Sequence, residues 1–291
     1  MKYLSLFSGI GGFEIAIHSV FPNAECVGYS EISEDAIKVY SHHFPSHKNL
    51  GDVTKIDGTK LKDIDLLVGG SPCQDFSRAG KMKGLDGKNG KLIFEYLRIY
   101  DEVKPKFFIL ENVKLDKDTY SILKTKFGVE PYKMNSRYFV PQNRIRYIWT
   151  NIPNIQLPQN FTSQKAGELF LPSDQNDSFK FKYIDLNRDL KMTKVLKQMI
   201  AGTLKEKYFF AIIRQTDPYF KTLTTKPMCQ YIYVNDLTLR HLHPIECERI
   251  QGFPDNYTNV GLAYTKRFKV MGNAVTTKVI EFFVKNINLQ N

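Results

Sequence analysis

The stretch YLSLFSGIGGFEIAIHSVF, residues 3–21, limits the fold more than any other part of the chain. YLSLF (3–7) is an apolar run too short for a helix and reads as a buried strand. SGIGG then reads as a turn, and FEIAIHSVF (13–21) has the spacing of a helix. A strand, a glycine turn and a helix in that order form the opening unit of a parallel α/β sheet. The pattern recurs. ECVGYSE (25–31) predicts a second strand and EDAIKVYSHHF (34–44) a second helix. IDLLVGG (64–70) and KFFILENV (106–113) predict further buried strands, with a helix over KLIFEYLRIYDEV (91–103) between them.

Near residue 150 the character changes. Residues 151–239 contain NIPNIQLPQN, SDQNDS and scattered aromatics, and read as a mostly irregular and β insertion. HPIECERIQGFPDNY (243–257) restores helical order before turning, and VMGNAV (270–275) precedes a last helix over TTKVIEFFVKNI (276–287). A length of 291 residues suits a core domain with a smaller one set into it. The division expected is a catalytic domain of residues 1–150 and 266–291, with a second domain over 151–265. No apolar run approaches the roughly 20 residues that span a bilayer. The N-terminus is too glycine-rich for a secretion signal, so the expected location is cytoplasmic, with reduced thiols.

The net charge of +11 is spread along the chain, +4 over 1–150, +4 over 151–239 and +3 over 240–291. Such a balance suits a polyanion gripped across a broad surface. Four cysteines, Cys26, Cys73, Cys229 and Cys247, are far apart and form no CxxC pair. HLHPIEC lacks a fourth ligand and zinc-site spacing, so no metal is expected.

Glycines in FSGIGG, Phe7 to Gly12, let the backbone approach a ligand closely. Glu31 follows about 20 residues later at the end of the next strand, where a carboxylate reaches the ribose of an adenosine cofactor. Asp52, in LGDVT, is placed to bind an adenine amino group. A nicotinamide dinucleotide fits the acid but not the glycines, which read GxxGG rather than GxGxxG. S-adenosylmethionine has no phosphate to cradle and tolerates that looser spacing.

In GGSPCQDFS, Cys73 follows a proline at the end of the IDLLV strand. A buried cysteine is usually a small hydrophobe, but one at a strand's carboxyl end is also a candidate nucleophile. Glu111 in ENV and Arg144 and Arg146 in QNRIRY close or adjoin other strands. In an open α/β sheet the carboxyl ends share one crevice.

The ordered set FSGIGG, GGSPCQDFS, ENV, QNRIRY, RHLHPIECERIQGFPDNY and VMGNAV resembles the DNA cytosine-5 methyltransferases of the restriction–modification type. The resemblance covers about two-thirds of the chain and leaves 151–239 largely unmatched. It implies a Rossmann-like, S-adenosylmethionine-dependent methyltransferase domain with a smaller inserted target-recognition lobe over 151–265. It also implies methyl transfer from S-adenosylmethionine to carbon 5 of a cytosine within a short duplex DNA sequence. Cys73 would attack carbon 6, Glu111 would hold the N3 and amino edge, Arg146 would contact O2, and Arg144 would help hold the group together. Phe7, Gly9, Ile10, Gly12, Glu31, Ile32, Asp52, Val53, Pro72, Leu92, Asn273 and Val275 map onto the cofactor wall. Ile32 stands where relatives often carry an aromatic, which weakens the expected adenine stacking.

The target atom is out of reach inside a duplex, so the base must be flipped, at a cost of about a few kcal/mol. RAGKMKGLDGKNGK (78–91) is expected to close over DNA, with Arg78, Lys81 and Lys83 meeting phosphates. Arg214, Lys221, Thr224, Thr225 and Lys226, around TLTT, are candidates for base or phosphate contact. The partners implied are double-stranded DNA and a cognate restriction endonuclease, with no membrane, and the chain is expected to act as a monomer. Two alternatives stay open: a transfer-RNA cytosine methyltransferase, whose Cys-Phe-Thr is missing because Cys229 precedes Gln230, and a binding relative without turnover.

Overall fold

The computed structural model describes residues 1–72, 91–171, 183–186, 191–201, 211–225, 230–235 and 238–289. The chain divides into two compact units, one of residues 1–135, 145–158 and 275–291, the other of residues 136–144 and 159–274.

In the first unit β1 (Lys2–Leu6) leads through the glycine turn to α1 (Gly12–Val20), then β2 (Glu25–Ser30) and α2 (Glu34–His43). β3 (Leu66–Gly69), α3 (Leu92–Val103), β4 (Phe107–Asn112), α4 (Lys117–Phe127) and β5 (Tyr132–Asn135) follow. These bounds lie within about two residues of those read from the sequence, where that reading named an element. After β6 (Gln142–Asn143) of the second unit, β7 (Ile145–Thr150) returns to the first.

The six strands run in the order β2-β1-β3-β4-β7-β5. β1 pairs parallel with β2 and β3, and β3 with β4, in register Leu4↔Leu67 and Leu67↔Phe108. β7 runs antiparallel to both β4 and β5, which a purely parallel reading does not anticipate. A parallel sheet needs both faces covered. On one face Leu4, Leu6, Leu67, Phe108, Leu110 and Trp149 form a core with Ile93, Tyr96 and Ile99 of α3 and Leu123 of α4. α1 packs on α8 (Thr277–Val284), so the C-terminal helix returns beside the glycine turn as the sequence suggests.

Local chemistry sets the helix ends. Asp116 caps α4 by accepting from the N–H groups of Asp118 and Thr119, and Gly128 ends it in the left-handed conformation.

The second unit contains β8 (Tyr183–Asp185), α5 (Lys191–Ile200), β9 (Ala211–Ile213), β10 (Phe220–Lys221), β11 (Gln230–Asn235) and β12 (Thr238–His241). α6 (Pro244–Gln251) and α7 (Tyr264–Asn273) follow. A sheet of order β8-β12-β11-β9 packs Ile212, Tyr231 and Leu239 with Leu186 and Leu196. The HLHPIEC segment starts α6: Pro244 opens the helix, and the His243 ring accepts from the Ile245 N–H. Residues 264–273 form a helix that carries Gly272 and Asn273 of VMGNAV at its end.

Candidate functional site

The carboxyl ends of β1, β2, β3 and β4 carry most of the residues singled out in the first unit. β1 runs into Phe7, whose φ of 54° is left-handed, and then into Gly9 at φ 58° and Gly11 at φ 90°. A side chain at such a φ costs about 1–2 kcal/mol, which makes the strained phenylalanine a marker of a built site. The Glu31 carboxylate ties this turn to β2. Its Oε2 accepts from Gly9 N at 2.9 Å, and its Oε1 from Ile32 N at 2.9 Å and Ser33 N at 2.7 Å.

On the free edge of β2, Tyr29 forms a parallel bridge with Asn49, and Ser30 Oγ donates to Gly51 O at 2.7 Å. That pairing brings Asp52 to the same end of the sheet, where it caps a short turn by accepting from Thr54 N.

Whether these residues fit an adenosine-type ligand is answered by the space and the surface. A Cβ built at Gly9 meets nothing within 4 Å, so the turn borders open space. Ile32 is 70% exposed, although it is a large apolar side chain beside a buried strand. An open glycine backbone, two carboxylates and an exposed aliphatic face match the donors and the apolar edge that a nucleoside needs. Ile10 and Val53 are buried behind this rim, and Gly12 is buried at the start of α1. Leu92, half-buried, opens α3. Val275 is buried ahead of α8, while Asn273 is exposed at the end of α7 in the other unit.

On β4, Glu111 is paired with Arg146 of β7, Oε1 to Nε at 3.0 Å. Antiparallel pairing of Glu111 with Ile148 makes Arg146 its diagonal neighbour on the same face. Both side chains are nearly buried, at 12% and 15% exposure. Gly70, just after β3, faces this pair: a Cβ there would lie 3.3 Å from Glu111 Oε2.

Two residues that the sequence reading passed over join β4 to the loop after β3. Asn112 Nδ2 donates to Ser71 Oγ at 2.7 Å, and Asn112 Oδ1 accepts from Val113 N. Both are buried, and Pro72 follows Ser71. The available signal was a polar residue closing an otherwise apolar strand.

The other sequence candidates divide plainly. Arg144 belongs to the second unit, where its guanidinium donates to Leu223 O and Ala274 O. Arg214, Lys221, Thr224 and Thr225 lie in that unit as well. Cys73, Arg78, Lys81, Lys83 and Lys226 lie outside the described residues.

Of the cysteines that are described, Cys26 has a thiol pushed up to about 12, mainly by burial, and Cys247 is also raised by burial. Neither is a thiolate at neutral pH, so neither competes for the nucleophile's role. Glu14, buried in the first turn of α1, is pushed up to about 7 by desolvation, while the Tyr40 hydroxyl donates to it at 3.1 Å.

Residues 1–289 match the C-5 cytosine-specific DNA methylase family. The chain belongs to that family. This methylase is 30% identical to the type II methyltransferase M.HhaI of Haemophilus parahaemolyticus, over 99% of the chain and 94% of that protein. It is 35% identical to the orphan methyltransferase M.SPRI of Bacillus phage SPR over 81% of the chain, and the match spans 58% of the length of that relative. A solved structure of Spodoptera frugiperda DNMT2 superposes with a TM-score of 0.74, 20% identity and 98% coverage of each chain. At that identity the likeness bears on the fold, which is the Rossmann-like fold of S-adenosylmethionine-dependent methyltransferases. The chemistry of the family is methylation of cytosine in DNA, with S-adenosylmethionine as the methyl donor. No helix among the described residues is long and apolar enough to cross a membrane.

Proposed function

We propose that this methylase is a DNA (cytosine-5-)-methyltransferase that works through a covalent bond between Cys73 and carbon 6 of a flipped cytosine in a short duplex sequence. The observation that carries the reading is the Glu111–Arg146 pair, nearly buried on adjacent strands and faced by the Gly70 backbone of the loop that leads in sequence to Cys73.

Carbon 5 of cytosine is a poor nucleophile. Addition of the Cys73 thiolate to carbon 6 breaks the ring's aromaticity and gives carbon 5 enamine character. Glu111 serves this step by holding the N3 and amino edge, since a proton shared at N3 draws electrons from carbon 6. Arg146 fixes the carboxylate's direction through its 3.0 Å contact and reaches for the base oxygen. Phe7, Gly9, Glu31, Ile32 and Asp52 hold the cofactor, with Ile10, Gly12, Val53, Pro72, Leu92, Asn273 and Val275 as the remainder of its wall. S-adenosylmethionine, when bound, supplies a sulfonium methyl group to carbon 5. A water molecule acting as base then takes the carbon 5 proton, the electron pair left behind re-forms the carbon 5–carbon 6 double bond, and Cys73 leaves as the thiolate that began the cycle.

Residues 151–265 serve target recognition, with Arg214, Lys221, Thr224, Thr225 and Lys226 toward the DNA and Arg78, Lys81 and Lys83 gripping phosphates. The substrate is double-stranded DNA in the cytoplasm, bound by a monomer. A cognate endonuclease is the further partner, a reading supported by the type II name of the Haemophilus relative. The test is a trap. Duplex DNA carrying 5-fluorocytosine at a modified site, with S-adenosylmethionine, is expected to leave an adduct at Cys73, and Cys73→Ser is expected to abolish methylation while DNA still binds. Turnover by Cys73→Ser would falsify the covalent scheme.

A further inference from the structure

Within the second unit the backbone of Leu223–Thr225 is held from several directions at once. β10 leads into it, paired in parallel with β6 through Phe220↔Gln142 and Lys221↔Asn143. Thr222 Oγ1 donates to Asn143 O at 2.7 Å. Arg144, only 3% exposed, donates from Nη1 to Leu223 O at 3.2 Å and from Nη2 to Ala274 O at 3.0 Å. The same Ala274 carbonyl accepts from Gln251 Nε2 at 3.0 Å, and Gln251 also reaches Met271 O at 3.1 Å. Gln142 Nε2 donates to Gln251 Oε1 at 3.2 Å, closing the group.

Gly272 completes it. A Cβ built there would lie 2.5 Å from Thr225 N and overlap the carbonyl of Thr224. Gly272 does not have a left-handed φ, so space rather than conformation is what a side chain would violate. Glycine in a helix costs about 1 kcal/mol relative to alanine, and here it lets a peptide group rest against α7.

We propose that Arg144, Gln251 and Gly272 are positioning residues that fix the Leu223–Thr225 backbone and thereby set which DNA sequence is accepted. The proposal rests on the reading that this segment meets DNA. Leu223 is buried as an anchor, Thr224 and Lys221 are half-buried, and Thr225 is exposed, so these side chains project from a backbone that cannot shift without breaking the seat. Base-edge hydrogen bonds work over a few tenths of an ångström, and a seat that fixes the backbone therefore controls discrimination more than it controls grip. Arg144 thus acts through Leu223 and Ala274 in this unit.

The experiment compares wild type, Gly272→Ala, Arg144→Lys and Thr224→Ala/Thr225→Ala on plasmid DNA, with bisulfite sequencing over time. The readout is the rate at the preferred sequence divided by the rate at its single-base neighbours. Folding is checked by thermal melting, and S-adenosylmethionine affinity by titration. Gly272→Ala and Arg144→Lys are expected to narrow that ratio at least tenfold with cofactor affinity within twofold of wild type. A ratio unchanged in whichever of the two variants melts cooperatively overturns the proposal. Should Gly272→Ala fail to fold, Arg144→Lys decides alone, because it keeps the charge and loses the two-pronged donation to Leu223 O and Ala274 O. The double threonine variant separates the two readings. If it leaves both DNA affinity and the ratio unchanged, the segment does not meet DNA; if it alone shifts them, the segment reads DNA but the seat does not set the choice.

Discussion

Glu111 and Arg146 are held in one geometry by a contact that needs both partners. Removing the carboxylate's charge without changing its shape should leave the fold and strike the reaction. Glu111→Gln is expected to lower the single-turnover methylation rate by about 10²–10⁴-fold, the usual range for a lost acid–base group. DNA affinity should stay within a few-fold, and a rate loss under tenfold would remove Glu111 from the chemistry.

Two other groups, away from the crevice, govern how stability depends on pH. Glu14, pushed up to about 7 by burial, binds its proton more tightly folded than unfolded, so its contribution falls as pH rises from about 4.5 to 7. His47, lowered to about 4 by burial and by His18, does the reverse, and its contribution rises between about 4 and 6.5. The two slopes oppose each other across one Tyr40 hydroxyl, which lies 3.1 Å from Glu14 and 3.0 Å from His47. Urea melts of Glu14→Gln from pH 4.5 to 7.5 should show stability climbing with pH, with about 3 kcal/mol gained over wild type at the upper end. Parallel curves for the two proteins would exclude Glu14 as the source.

At the level of elements, β1, β2, β3 and β4 were legible as short, mainly apolar runs, and α1, α2 and α3 as helical periods that bury one face. α7 was not, because its inward face includes Arg267, which reads as polar in sequence yet is fully buried against Glu248 at 3.0 Å. β7 was not named as a strand in the sequence, and alternation with a period of two does not in any case say which way a strand runs. Arg144 was read by its neighbours in QNRIRY, but its carbonyl partners lie 79 and 130 residues away. The glycine turn, Glu31 and Glu111 were readable as a strand-end cluster, whereas the Asn112–Ser71 tie was not. α6 and α7 provide the element-scale test. Glu248 accepts from Arg267 and from Thr258, with all three side chains buried. Arg267→Ala leaves a buried carboxylate uncompensated and should cost about 3–5 kcal/mol in urea denaturation. Arg267→Met with Glu248→Leu, which removes both charges, should recover much of that loss; recovery under about 1 kcal/mol would mean that packing, not charge, docks the two helices.

For the molecule as a whole, the distribution of charge decides what can be tested. An excess of +11 that is nearly even along the chain has no single basic tail to delete. The grip on DNA must then be dissected by salt dependence, because each phosphate neutralised releases counterions and adds about 0.9 to the slope of log K against log salt. Affinity at one salt concentration mixes this electrostatic term with base contacts, and the slope isolates it. Lys81 and Lys83 belong to the glycine-rich segment read as closing over DNA. If both meet phosphates, Lys81→Ala/Lys83→Ala should flatten the slope by about 1.8. Thr224→Ala/Thr225→Ala, which changes no charge, should weaken binding to the preferred sequence with the slope intact. Fluorescence anisotropy on one duplex between 50 and 200 mM salt, about the range over which such contacts dominate, measures both. A lysine variant with the wild-type slope would move the phosphate grip off this segment and onto the remaining basic surface.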